Sequence, residues 1–165
     1  MIKDFACVTD DVCKGFGKNL NDGVQCKGHI NLKLYGPDGK LKDERDIHNT
    51  VTTLGKNATA DQWLDTPTKA KPGWIELGTG SPGTTKLGAY VAGSRTALTS
   101  KTRSDNVVTM VASFAAGVGT GALTEAGVFN VATEDTAELI LSATFGTMTK
   151  EAADALTITW TFTVN

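Results

Sequence analysis

The sequence predicts a mainly β chain: an antiparallel β-sandwich, of jelly-roll or immunoglobulin-like type, with one short helix and an N-terminal arm. Three observations predict it. Near its end the chain alternates strictly, with Leu156, Ile158, Trp160, Phe162 and Val164 separated by Thr157, Thr159, Thr161 and Thr163. A period of two places the apolar set on one face of a strand and the threonines on the other. The 165 residues include 25 threonines and 18 glycines, a balance that favours strands joined by tight turns. Finally, short alternating runs separated by turn signals recur along the chain, giving seven or eight expected strands at sandwich spacing.

Residues 1–28 stand apart and read as an arm or extension. They hold Cys7, Cys13 and Cys26 and several lysines, and Phe5, Phe16 and Leu20 follow no clear period. Phe5, Phe16, Lys18 and Leu20 are the candidate partner contacts of this arm, which orders against a partner or forms a first hairpin. Residues 29–165 form the sandwich. Ile30, Leu32 and Leu34 alternate, and Gly36-Pro37-Asp38-Gly39 is a strong turn signal, so residues 30–35 and 41–47 are expected to pair as a hairpin. Val51, Leu54, Ala58, Trp63 and Leu64 are spaced for a helix over residues 50–64, capped by Asn49 or Thr50 and ended by Pro67 and Pro72. That helix is expected to lie across an open end of the β core.

Strands follow at residues 74–77, 94–101, 107–114, 123–130 and 138–145, and the alternating terminal strand closes the fold. Residues 148–154 are expected to form a helical turn or loop. The glycine-rich stretches at 78–83 and 117–121 read as loops between strands.

Composition excludes some functions and leaves others open. Sixteen basic and 18 acidic residues give a formal charge of -2. A nucleic-acid partner is not expected, because phosphate binding needs a basic surplus. No stretch is apolar enough to span a bilayer as a helix, and no apolar run follows the first lysine, so neither a membrane partner nor a signal peptide is expected. Three cysteines cannot all pair within one chain. Reduced thiols are the simplest reading. Cys7, Cys13, Cys26 and His29 also offer a Cys₃His zinc set, although the gap between Cys7 and Cys13 is wider than usual, and a disulfide between chains is a third possibility.

No catalytic constellation is evident, and no cofactor is expected. His29 and His48 are the only histidines, and neither lies in a serine- or cysteine-enzyme motif. Asp43, Glu44 and Asp46 flank Arg45, which reads as a solvated strand rather than an acid–base pair. Gly78-Thr79-Gly80 and Gly117-Val118-Gly119-Thr120-Gly121 lack the Gly-Lys-Ser/Thr and the helix of a phosphate loop. Glu125, inside the otherwise apolar Leu123-Thr124-Glu125-Ala126-Gly127-Val128-Phe129, is expected to pair across the sheet with Arg95 or Arg103.

The order of several of these segments resembles a family of small virion structural proteins of tailed bacteriophages, of the capsid decoration, or cement, type. The resemblance covers about residues 29–165. It rests on the Gly-Pro-Asp-Gly hairpin, His48-Asn49-Thr50-Val51, the Gly78-Thr79-Gly80 loop, Thr124-Glu125-Ala126-Gly127-Val128-Phe129-Asn130, and Thr157-Ile158-Thr159-Trp160. It implies a β-sandwich bound to the outer surface of a capsid, with the major capsid protein as partner and a dimer or trimer as the assembled form. It carries over no catalytic residue. Residues 1–28 depart from the family pattern. A tail or tail-fibre component and a carbohydrate-binding β-sandwich are the competing readings.

Overall fold

The computed structural model describes residues 24–165. Within them the chain is mainly β: two five-stranded antiparallel sheets and one short helix, consistent with a β-sandwich. The strands are β1 (Cys26–Tyr35), β2 (Leu41–His48), β3 (Thr50–Val51), β4 (Trp74–Gly78), β5 (Thr96–Ala97), β6 (Ser100–Ser104), β7 (Val107–Phe114), β8 (Gly121–Phe129), β9 (Leu139–Lys150) and β10 (Ala155–Val164). The helix, α1, spans Thr53–Asp61. The first sheet runs β2-β1-β10-β7-β6 and the second β3-β9-β8-β4-β5. Two of the ten strands, β3 and β5, are only two residues long, which accounts for the larger number than the sequence predicts.

The alternating strand lies at the centre of the first sheet. Trp160 stands opposite Ile30 on β1 and Met110 on β7, and Ile158 stands opposite Leu32 and Ala112. All six are buried in the main core, which Ile75, Leu77, Ala126, Val128 and Leu141 of the second sheet complete. Burying each large side chain contributes about 1.5–3 kcal/mol, so the alternation alone accounts for much of the cohesion between the sheets. The four β10 threonines lie half-buried on the outer face.

The β1–β2 hairpin forms as expected. Gly39 takes φ 75°, the left-handed conformation that glycine adopts without strain, and its N–H donates to the Gly36 carbonyl at 2.9 Å. β1 begins at Cys26, so the last three residues of the 1–28 segment are paired in the first sheet.

Three local expectations differ from the structure. Helix α1 starts at Thr53, and neither Asn49 nor Thr50 caps it. Thr50 and Val51 are extended because they pair with Ser142 and Leu141, which leaves Thr52 to accept from the Gly55 N–H at 3.0 Å as N-cap. Residues 94–101 are not one strand. β5 belongs to the second sheet and β6 to the first, so the chain changes layers between Ala97 and Ser100. Residues 148–150 are neither helical nor loop. A register shift between Leu123 and Glu125 lets β9 continue past Phe145, with Met148 opposite Leu123 and both side chains buried in the core. A tight turn at 151–154 then leads into β10, closed by the Asp154 N–H donating to the Glu151 carbonyl at 3.1 Å.

The edges of the first sheet are charged: β2 bears Lys42, Asp43, Glu44, Arg45 and Asp46, and β6 is Ser-Lys-Thr-Arg-Ser and exposed throughout, whereas β3 and β5 cover only two residues each of β9 and β4 in the second.

Candidate functional site

The two sheets differ in what covers their outer faces. The first leaves its threonine face open. The second is covered by the 79–94 segment, which packs Leu87 on Phe129 and Leu139 as a small second core. Glu125 lies beneath that cover with no solvent exposure. Its Oε1 accepts from the backbone N–H groups of Gly80 (3.0 Å) and Ala89 (2.8 Å), and its Oε2 accepts from Gly88 (3.0 Å). The expected pairing of Glu125 with Arg95 or Arg103 is therefore corrected: its partners are three backbone donors in a loop that folds over the strand. The glycines permit this approach. A Cβ on Gly78 would lie 2.4 Å from Glu125 Oε1, and one on Gly88 would lie 2.1 Å from the Ser81 carbonyl oxygen. Convergent N–H groups of this kind suit an anion, and here the protein's own carboxylate fills the role.

Arg95 has a different partner. Its guanidinium donates to Glu76 Oε2 at 2.8 Å, with both side chains 1% exposed, and to the Val131 carbonyl at 2.9 Å. Its Cζ lies 3.6 Å from the centre of the Phe129 ring, a cation–π contact. The Arg95 backbone N–H donates to Glu134 at 3.1 Å, tying the 130–138 loop to the same layer. Burial pushes the Glu76 carboxyl above its ordinary range, and the hydrogen bond from Arg95 opposes that shift.

A third buried charge group closes the β9–β10 turn. Lys150 Nζ donates to the carbonyls of Ala115 (3.1 Å) and Asp154 (2.7 Å). Asp154 accepts from Lys42 Nζ at 2.6 Å, and that bond is the main cause holding its carboxyl below the ordinary range. Burial pushes the Lys150 amine down.

The histidines lie on the open face of the first sheet. His29 and His48 are cross-strand partners with ring centres 5.2 Å apart, edge to face, and His29 Nε2 is 2.6 Å from Asp46 Oδ1. Arg45 pairs with Asp43 at 2.9 Å and Lys33 with Glu44 at 3.4 Å, so the charged hairpin is a surface of ion pairs. No cluster of three metal-ligating side chains occurs among the described residues. Of the zinc set, Cys7 and Cys13 lie outside the described residues. Cys26 is a free, half-buried thiol, and its spacing of three from His29 along β1 points the two side chains to opposite faces. Phe5, Phe16, Lys18 and Leu20 also lie outside the described residues.

An apolar groove of about 600 Å³ lies between helix α1 and the first sheet. Helix α1 forms one wall with Ala58 and Thr59. Val108 and Phe162 of the first sheet form its floor, and Lys71, Lys101 and Arg103 stand at its rim. Trp63 lines it while 88% exposed, and is followed by Leu64 at 56%. The sequence places Trp63 and Leu64 on a helix that covers the core. They lie instead in the turn after α1, because the helix ends at Asp61 and the chain leaves the sheet surface there. Trp160 is core, as its alternation predicts, and Trp74 is half-buried.

No protein-family model, no curated protein and no solved structure matches the chain. No helix among the described residues is long and apolar enough to cross a membrane.

Proposed function

We propose that this chain is a structural protein of a tailed-bacteriophage virion, bound to the outer surface of the capsid, where it stabilises the shell as a decoration protein. Its partners are the major capsid protein and further copies of itself as a dimer or trimer, and its role is non-catalytic. The observation that carries the reading is how the buried charges are used. Glu125 accepts hydrogen bonds from the chain's own backbone, and Lys150 and Arg95 donate to it, so these buried charges hold loops in place. What remains for a partner is surface, chiefly the half-buried threonine face of the first sheet. Modest contacts from such surfaces, repeated over a particle, add up as avidity. Two of the five segments behind the family resemblance, Gly78-Thr79-Gly80 and Thr124 to Asn130, are joined by the bond between Glu125 and the Gly80 N–H.

The test is to count this polypeptide in purified virions and locate it by cryo-microscopy. On the order of hundreds of copies on the head supports decoration. A few copies at the tail would assign it to the tail, and heads without it would overturn the reading.

One observation favours a second reading, a carbohydrate-binding module. The exposed Trp63 ring offers the flat aromatic face on which a sugar stacks. Glycan-array binding by the purified protein that disappears in Trp63→Ala would support it, and silence across the array would refute it.

A further inference from the structure

We propose that the apolar groove beside α1 is the seat of the chain's own N-terminal segment, residues 1–23, with Phe16 and Leu20 as the side chains that fill it. This inference is independent of the capsid reading.

The first argument is position. Cys26 stands opposite Val164 on β10, two residues beyond Phe162 on the same face, and Gln25 and Asn165 exchange two backbone hydrogen bonds of 2.8 Å. Phe162 stands opposite Val108, and Val108 opposite Arg103. The preceding chain therefore enters the sheet at the end where the groove opens. Leu20 is four residues before Val24 and Phe16 eight. Eight residues span at most roughly 26 Å when extended, enough to cross the two strand spacings that separate β1 from β7.

The second argument is chemistry. The groove floor is apolar, and Trp63 and Leu64 expose further apolar surface beside it, a patch that soluble chains cover or use. Residues 1–23 supply Phe16 and Leu20, two large apolar side chains within reach of the groove.

The test is site-specific photocross-linking in the full chain. Gln62 lines the groove and is exposed, so a photoreactive amino acid there leaves the core untouched. After irradiation, mass spectrometry maps the attached peptide. The expected result is attachment within residues 12–23, reduced at least tenfold in the double variant Phe16→Ser, Leu20→Ser. Mixing isotopically light and heavy chains identifies the donor copy: attachment within one chain meets the expectation, and attachment only from a neighbouring copy overturns the proposal. Attachment only to residues 24–165 of a second copy, attachment only to another protein, or no protein attachment at all overturns the proposal.

Discussion

Replacing Glu125 tests whether a single carboxylate holds the outer layer of the second sheet. The side chain is fully buried, and its two oxygens take three backbone N–H groups from positions 80, 88 and 89. Hydrogen bonds to a charged acceptor contribute about 1.5–3 kcal/mol each, which sets an upper bound near 9 kcal/mol for the three. The loss in Glu125→Ala is smaller, because Gly88 and Ala89 lie in exposed loop and their N–H groups regain water when the loop opens. About 3 kcal/mol is the expected destabilisation. Glu125→Gln keeps one oxygen for Gly80 and Ala89 but turns an NH₂ toward the Gly88 N–H, so about 1.5 kcal/mol is expected from that one lost bond. Urea unfolding gives the two differences, and hydrogen exchange reads the amides of residues 80, 88 and 89 directly. Faster exchange confined to residues 79–90, with the β1–β10 amides unchanged, would show local release. A loss below about 1 kcal/mol in Glu125→Ala, with those three amides still protected, would refute the reasoning.

Other outcomes follow from the same packing. Gly88→Ala would push a Cβ to 2.1 Å from the Ser81 carbonyl oxygen, so it should release the same loop as Glu125→Ala, and the two variants should give matching exchange patterns. Trp160→Ala should cost about 3–5 kcal/mol in urea unfolding, because the side chain fills the centre of the core. Thr52→Ala removes the helix cap and should cost about 1 kcal/mol, with Thr52→Ser near wild type. Asp154, whose carboxyl is held low chiefly by Lys42, gives a pH dependence of defined sign. A depressed folded pKa contributes stability above the ordinary carboxylate value and loses it as pH falls through the folded value. Lys42→Ala should therefore move the acid limb of the stability profile to higher pH, measured by thermal melting across acidic buffers.

Elements made by local pattern are legible in this sequence. The β10 alternation, the residues 107–114 run and the Gly-Pro-Asp-Gly turn each carry their own signal, and each forms as read. Features set by pairing with distant chain are not. The start of α1 depends on Thr50 and Val51 meeting Ser142 and Leu141, about 90 residues away, and nothing near Thr50 reports that pairing. Glu125 stands out in the sequence as a carboxylate in an apolar strand, but its partners are backbone groups, which have no side-chain signature. The nearest signal is the density of glycines between Gly78 and Gly88, the positions where the loop must come close. The Arg95–Glu76 pair is hidden because it depends on β5 returning beside β4, a pairing that nothing near either residue reports. The groove is a product of where α1 stops, and helix ends are the weakest part of a periodicity reading.

The edge strands limit how copies of this protein can associate. An uncovered edge of long apolar strand invites a neighbour to add its own strand and propagate a ribbon. Among the described residues, one edge of the first sheet carries five charged residues in succession and the other displays lysine and arginine. Copies brought together would therefore not extend the first sheet at its edges, and contacts made through its face would come apart without unravelling it. An assembly built on such contacts would be reversible: its units could be added, removed and replaced while each remains folded.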